Sequence, residues 1–151
     1  MPLMICPAGG SKVLVPVDCS TDGTNYTGTC SDTLDHNDAT YISAPVGVGV
    51  TRGSFQVVVD LGDLYYINRL IIHASYTKGA DPSRSGRILA MNGPITIQTW
   101  DFYSTVAMAE YSSDVSSYVR YIFFQGTYFN FCEGGCDAGI LRLAEIIVIG
   151  R

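Results

Sequence analysis

Ser31-Asp32-Thr33-Leu34-Asp35-His36-Asn37-Asp38-Ala39-Thr40-Tyr41 is the stretch whose reading decides this chain, taken together with Ala144-Glu145-Ile146 near the far end. Asp32, Asp35, Asn37, Asp38 and Thr40 crowd oxygen donors into a segment with neither helical nor strand periodicity. Such residues bond their own backbone, so an ordinary turn is one reading. The other is a loop that turns carboxylates and carbonyls inward around a hard cation. Calcium takes about six to eight oxygens from carboxylates, carbonyls, amides and water. On that reading the loop and Glu145 close around one ion and tie the start of the domain to its last strand. The loop is not an EF-hand, because the glycine and the twelfth-position glutamate of that motif are missing.

The rest of the composition fits one folded domain. The chain has 151 residues, 47% of them apolar and only 15% charged. That length builds a full hydrophobic core, and the balance is the reverse of a disordered chain. The net charge of −5, with nine scattered Lys and Arg, leaves no basic footprint for a phosphate backbone. Nucleic acid is therefore excluded as the expected partner, whereas an acidic chain suits a cation. No apolar run reaches the ~18 residues that span a bilayer. Met1 to Pro7 lacks the basic and apolar regions of a signal peptide, which points to a mature chain or another route of export.

Five cysteines divide into two close pairs and a remainder. Cys19 and Cys30 bracket a Thr/Gly/Asn-rich segment, and Cys132 and Cys136 bracket Glu133-Gly134-Gly135. Both pairs read as staples across loops and place the chain in an oxidising compartment, although spacing alone does not fix the pairing. Cys6 is the candidate for a free thiol or an intermolecular bond. A zinc site at Cys132 and Cys136 would need two further ligands, and His36 and His73 are the sole histidines. Asn25-Tyr26-Thr27 is a glycosylation sequon, meaningful where the source glycosylates secreted proteins.

Strand patterns fill most of what remains. Val13–Val17 is a short apolar run that Pro16 marks as an edge. Ser54–Leu61 and Tyr65–His73 read as two strands joined by a short Gly62-Asp63 connection. Gly47–Val50 reads as loop, and Tyr76–Asn92 as a long polar loop of functional length. Pro94–Trp100 alternates like a half-buried strand, with Trp100 a core residue of a central strand. Val106–Tyr111 is ambiguous between strand and short helix. Tyr118–Gln125 and Ile140–Ile149 are strands, and Phe129–Phe131 leads into the second cysteine loop. No segment has the caps and period of a long helix, so the fold class is all-β, a sandwich or barrel. The organisation is an N-terminal arm over 1–12 and a single domain over 13–151.

Four of these pieces, in this order, resemble the galactose-binding-like or discoidin (coagulation-factor C-type) domains. They are Leu34–Tyr41, Val57–Gly62 with Ile67–Leu70, Val119–Ile122, and Leu143–Gly150. The resemblance runs from about Val13 to Gly150. It implies a jelly-roll β-sandwich of about eight antiparallel strands with a structural calcium ion. By position, the ion's ligands would be the Asp32 carbonyl, Asp35, the Asn37 carbonyl, Thr40, the Ala144 carbonyl and Glu145. Two departures stand out. His36 replaces the usual glycine, so the turn is expected to differ, and the tryptophan that follows the threonine in the family is absent.

The resemblance also implies carbohydrate binding by loops at one end of the sandwich. Sugar recognition needs an aromatic face and side chains that bond hydroxyls. His36, Tyr41, Tyr76, Asp81, Arg84 and Arg87 are the candidates, with solvated loop charge the competing account of the two arginines. The His and Arg-x-Asp spacing of the fucose-binding branch is absent. The apolar loop tips of the membrane-binding branch are absent too, which argues against membrane insertion. No Ser or Cys sits in a nucleophile-elbow context, and cation binding accounts for Asp35 and Asp38 more simply than acid–base work. The expectation is a non-enzymatic module for cell-surface glycans or glycoproteins, extracellular or on a cell or virion surface. The competing reading is an assembly subunit, a homo-oligomer or a virion or filament component, whose arm reaches a neighbour.

Overall fold

The computed structural model describes residues 10–23, 26–46, 55–76, 86–102, 108–126 and 139–151. They form eight strands: β1 (Lys12–Val13), β2 (Asp18–Gly23), β3 (Ile42–Val46), β4 (Phe55–Tyr76), β5 (Gly86–Asn92), β6 (Ile95–Phe102), β7 (Ala109–Gly126) and β8 (Gly139–Gly150). Every pairing is antiparallel. The described residues contain no α-helix, only a 3-10 turn over Cys30–Thr33.

Two long strands set the architecture. β4 and β7 pair with each other along almost their whole length, from Phe55 opposite Gly126 to Ala74 opposite Ala109. Their ladder breaks between Asp60 and Tyr65 and again between Ile67 and Arg69. Before the first break, β4 also pairs with β2, and the matching part of β7 pairs with β5 and, through it, β6. Beyond the breaks, β4 pairs with β8, whose other edge carries β3 and β1. One ribbon thus serves two layers. Side-chain parity changes with it: Val57, Val59, Leu61 and Ile67 are buried, then Leu70, Ile72 and Ala74. A bulge is what lets a strand shift its buried face by one residue. Ile88, Ile122 and Phe124 of one layer and Ile42, Ile72, Leu141, Leu143 and Ile146 of the other join a single hydrophobic cluster. The result is the jelly-roll β-sandwich expected from the sequence.

Asp60 pins the bend. Its Oδ1 accepts from the Gly62 amide at 2.8 Å and from Arg120 Nε at 3.0 Å, and its carbonyl accepts from Val17 N at 2.9 Å. The Arg120 hydrogen bond is the main reason that the Asp60 carboxyl titrates below its ordinary value. Gly62 has φ +87°, which only glycine adopts without cost.

Several sequence expectations need correction. The segments on either side of Gly62-Asp63 are parts of one strand, β4, and pair with β7 rather than with each other. The second half of the Tyr76–Asn92 loop is β5, which buries Ile88 and Ala90. Strands β2 and β3 were not foreseen. Trp100 does pack against the core, but on β6, the outermost strand of its layer among those described. Of the first apolar run only Val13 joins a ladder, next to Lys12, and Val15 and Val17 are exposed. Residues 11 and 12, assigned to the arm, lie on the body: Lys12 pairs with Gly150, and Ser11 Oγ donates to Asn68 Oδ1. Ala109–Tyr111 resolves as strand. Cys6, Asn25, Gly47–Val50, Phe129–Phe131, Cys132 and Cys136 lie outside the described residues.

Cys19 on β2 is bridged to Cys30, with Cα atoms 5.7 Å apart and eleven residues of separation. Replacing both by Ser is expected to lower unfolding free energy by about 3 kcal/mol, the loop-closure entropy of a ring this size, in a urea melt. A Cβ at Gly150 would sit 2.5 Å from the Tyr66 carbonyl, against backbone that cannot swing away. Gly150→Ala is therefore expected to cost about 1–3 kcal/mol in the same measurement.

Candidate functional site

The acidic loop fills a gap along β8. β3 occupies the β8 edge at Gly139–Leu143, and β1 occupies it at Ile149 and Gly150. The loop between Leu34 and Tyr41 meets the stretch left between them. It starts from the 3-10 turn, where the Thr29 amide donates to Asp32 Oδ2 at 2.7 Å. That hydrogen bond engages Oδ2 of the Asp32 carboxylate as a cap. Asp35 then organises the turn itself. Its Oδ1 accepts from the Asn37 amide at 3.0 Å and its Oδ2 from the Thr40 hydroxyl at 2.5 Å. The Asn37 side chain accepts from Ala39 N at 3.0 Å, and the Asn37 carbonyl accepts from Thr40 at 2.9 Å and 3.1 Å through hydroxyl and amide.

Glu145 closes the loop onto the sheet. Its Oε1 accepts from the Asn37 amide at 2.6 Å, across 108 residues of sequence. The neighbouring pairs on β8 and β4 are Glu145 with His73 and Leu143 with Ala74, so Ala144 is the extra residue of a bulge. A bulge leaves its extra residue out of the ladder and re-aims the side chain beside it. Glu145 is only 1% exposed, and its Oε2 makes no hydrogen bond. Burial pushes its carboxyl up to about 7, against the Asn37 hydrogen bond, and the nearby Asp35 and Asp38 push the same way. Asp35 moves in the opposite direction, held down chiefly by the Thr40 hydroxyl.

A buried carboxylate oxygen with no partner is costly, and a second carboxylate beside it raises the cost. The donors gathered here, two carboxylates, a hydroxyl and a backbone carbonyl, with neither sulfur nor imidazole, are of the kind that a hard cation takes. The residues named from the sequence, Asp35, Asn37, Thr40, Ala144 and Glu145, do come together here. Among the described residues no cluster of three or more His, Cys, Asp or Glu side chains is arranged to hold a metal ion.

His36 adopts φ +57°, the left-handed conformation that a glycine would take without strain. The departure from glycine therefore leaves this residue in glycine-like geometry. His36 lines a small cleft with Val13, Leu14, Val15, Leu34 and Ile146. Tyr41 lies elsewhere, with the Arg142 guanidinium 5.2 Å over its ring. Tyr76 ends β4, opposite Leu141, and Arg87 lies on β5, opposite Gln125 and Asp101. Asp81 and Arg84 lie outside the described residues.

Sequence reasoning missed two neighbours of the loop. Asp38, counted as a loop donor, turns to His73 instead, Oδ1 to Nδ1 at 2.8 Å, while Glu110 Oε2 meets Nε2 at 3.2 Å. Burial pulls the His73 imidazole down, but the two carboxylates outweigh it and raise it above its ordinary value. Arg142 covers Tyr41. The signal for both lay in strand register, which places Glu110 and Glu145 opposite His73 and Arg142 opposite Ser43.

No protein-family model and no curated protein sequence matches the chain. Solved structures do. A fucose-binding module of Streptococcus pneumoniae superposes with a TM-score of 0.63 at 13% identity, covering 93% of this chain and 96% of that one. The lectin domain of lectinolysin in complex with Lewis b antigen gives 0.59 at 18%, over 87% and 90%. A family 32 carbohydrate-binding module of AlyQ, in complex with 4,5-unsaturated mannuronic acid, gives 0.58 at 19%, over 91% and 97%. At such identities the likeness is one of fold, and the fold that this chain shares with these modules is the jelly roll.

Proposed function

We propose that this chain is a non-catalytic carbohydrate-binding module, stabilised by one calcium ion and facing an extracellular or cell-surface environment. One observation carries the reading. The fold matches from end to end those of three modules that are described by their fucose binding, Lewis b complex and uronic acid complex. The Cys19–Cys30 bridge suits an oxidising compartment. The calcium ion would be held by the Asp32, Asn37 and Ala144 carbonyls, by Thr40, and by the carboxylates of Asp35 and Glu145. Its role is structural: it neutralises the paired carboxylates and fixes the loop on β8. The glycan would meet Tyr76, Asp81, Arg84 and Arg87 at the loop end, with Tyr41 and His36 as further contacts. The left-handed conformation of His36 supports a role for its side chain.

A second reading, an assembly subunit, is favoured by the N-terminal segment. Val15 is 85% exposed and Val17 69% exposed, an apolar row that a neighbour could cover. Glycan-array screening in calcium separates the two. Binding to one sugar class, weakened by Arg84→Ala or Arg87→Ala, supports the module. Absence of all binding, together with concentration-dependent oligomers that Val15→Asp disperses, supports assembly.

The calcium assignment has its own tests. Calcium is expected to raise the melting temperature, since a ligand of the native state alone stabilises it by mass action. Chelator should reverse the gain, and Glu145→Gln should abolish the difference. A rise that survives Glu145→Gln removes Glu145 from the site. In chelator the pH dependence is fixed by the raised Glu145 value. Between pH 4.5 and about 7 the native state keeps a proton that the unfolded chain has released. Stability should therefore fall across that window as pH rises, by roughly 3 kcal/mol at most. With saturating calcium the slope across that window should vanish, because the native and unfolded chains then both carry the ionised carboxylate. His36→Gly relieves the left-handed strain, so the melting temperature should hold or rise, and any loss of glycan affinity then reports a direct role for the imidazole.

A further inference from the structure

The outer face of β4 and β7 carries a strip of side chains that the loop-end site does not use. Tyr66 opposes Tyr118, and Arg69 opposes Asp114 after the second register break. Asn68 and Ser116 lie between these pairs, in the bulge. Asp114, Ser116 and Tyr118 alternate along β7 and all face outward. Asn68, Arg69, Asp114, Ser116 and Ile149 line an open groove of about 390 Å³. That volume lies in the range of small-ligand sites, roughly 300–1,000 Å³.

Stability does not account for the strip. Tyr118 is 59% exposed, yet its ring is held edge-on by Tyr66, with centroids 5.4 Å apart and planes at 77°. Tyr66 is backed in turn by the Arg151 guanidinium, 5.2 Å over its ring. The Arg69–Asp114 pair is 3.1 Å long with side chains 52% and 74% exposed, and such pairs add little to folding. Ser116 has φ +50°, a left-handed conformation that costs a non-glycine residue free energy. Bulges are over-represented beside binding sites, where they re-aim a side chain.

We propose that this groove is a binding site for a neutral oligosaccharide, separate from the loop end. The exposed Tyr118 ring offers an apolar face for the C–H side of a pyranose. Arg69 and Asp114 offer donors and an acceptor for neighbouring hydroxyls, with the amide of Asn68 and the hydroxyl of Ser116 beside them. The pair is neutral as a whole, which favours an uncharged sugar over a uronate. Eight residues of β4 separate Asn68 from Tyr76, roughly 26 Å of strand, so one short oligosaccharide cannot occupy both sites. The proposal does not rest on the loop-end reading.

The test is an amide-shift NMR titration of the calcium-loaded chain with cellotetraose, xylotetraose and mannotetraose at millimolar concentration. At least one should shift residues 66–69 and 114–118 as a cluster. Tyr118→Ala and Arg69→Ala should each weaken that sugar by about tenfold or more, as truncating an aromatic or arginine anchor does. Tyr118→Phe should keep the affinity, since the ring remains. Both truncations are at exposed positions, and unchanged shift dispersion confirms the fold. Shifts confined to the loop end would overturn this groove and leave the loop-end site standing. No shifts with any of the three sugars, or variants that bind like the parent, would also overturn it.

Discussion

The constraint on which the structure depends is the bend in the paired ribbon of β4 and β7. A straight antiparallel pair of this length would be far longer than a domain of this size is wide. The ladder breaks at Asp60/Tyr65 and Ile67/Arg69 let the ribbon belong to two layers and change its buried face between them. Asp60 holds the first break through Gly62, Arg120 and Val17. Everything else attaches to one half or the other. The two ends of β4 pair with Gly23 and with Leu141, while Ile67 at the bend pairs with Gly150.

The second organising contact is Glu145 with the acidic loop. It joins residues 108 apart in sequence through one short hydrogen bond, at a bulge that removes Ala144 from the ladder. An apolar residue would fill this place at less cost. The second oxygen of Glu145 has no hydrogen-bond partner, which leaves a buried carboxyl only half satisfied. His73 reinforces the loop from the outside by taking Asp38, a residue that the crowded sequence had suggested for the ion. Proximity in sequence placed Asp38 among the donors, but only register showed that a histidine was waiting for it.

The missed strands share a physical cause. β2 reads Asp-Cys-Ser-Thr-Asp-Gly and carries little apolar signal, because the pairing backbone rather than buried side chains makes it a strand. β5 begins with Gly and Arg after a polar loop, and its short apolar pattern is hidden by its surroundings. The long apolar runs of β4, β7 and β8 were legible because each buries a periodic face. The same periodicity could not tell a hairpin from a bent strand. Both contain a Gly-Asp break, and which partner each half takes is not written locally.

The sequence by itself determined the class, the strand-rich core and the acidic loop. Those follow from residue type and order: β-branched runs demand burial, and clustered oxygens demand either their own backbone or a cation. The tertiary structure alone decided that β4 is one strand, that Ala144 is a bulge, and that His36 keeps a glycine's conformation. It alone brought Arg69 and Asp114 together beside a fixed tyrosine pair. The reason is register. A shift of one residue exchanges buried and exposed faces, and that choice is made by pairing across the sheet, among residues that the chain keeps far apart.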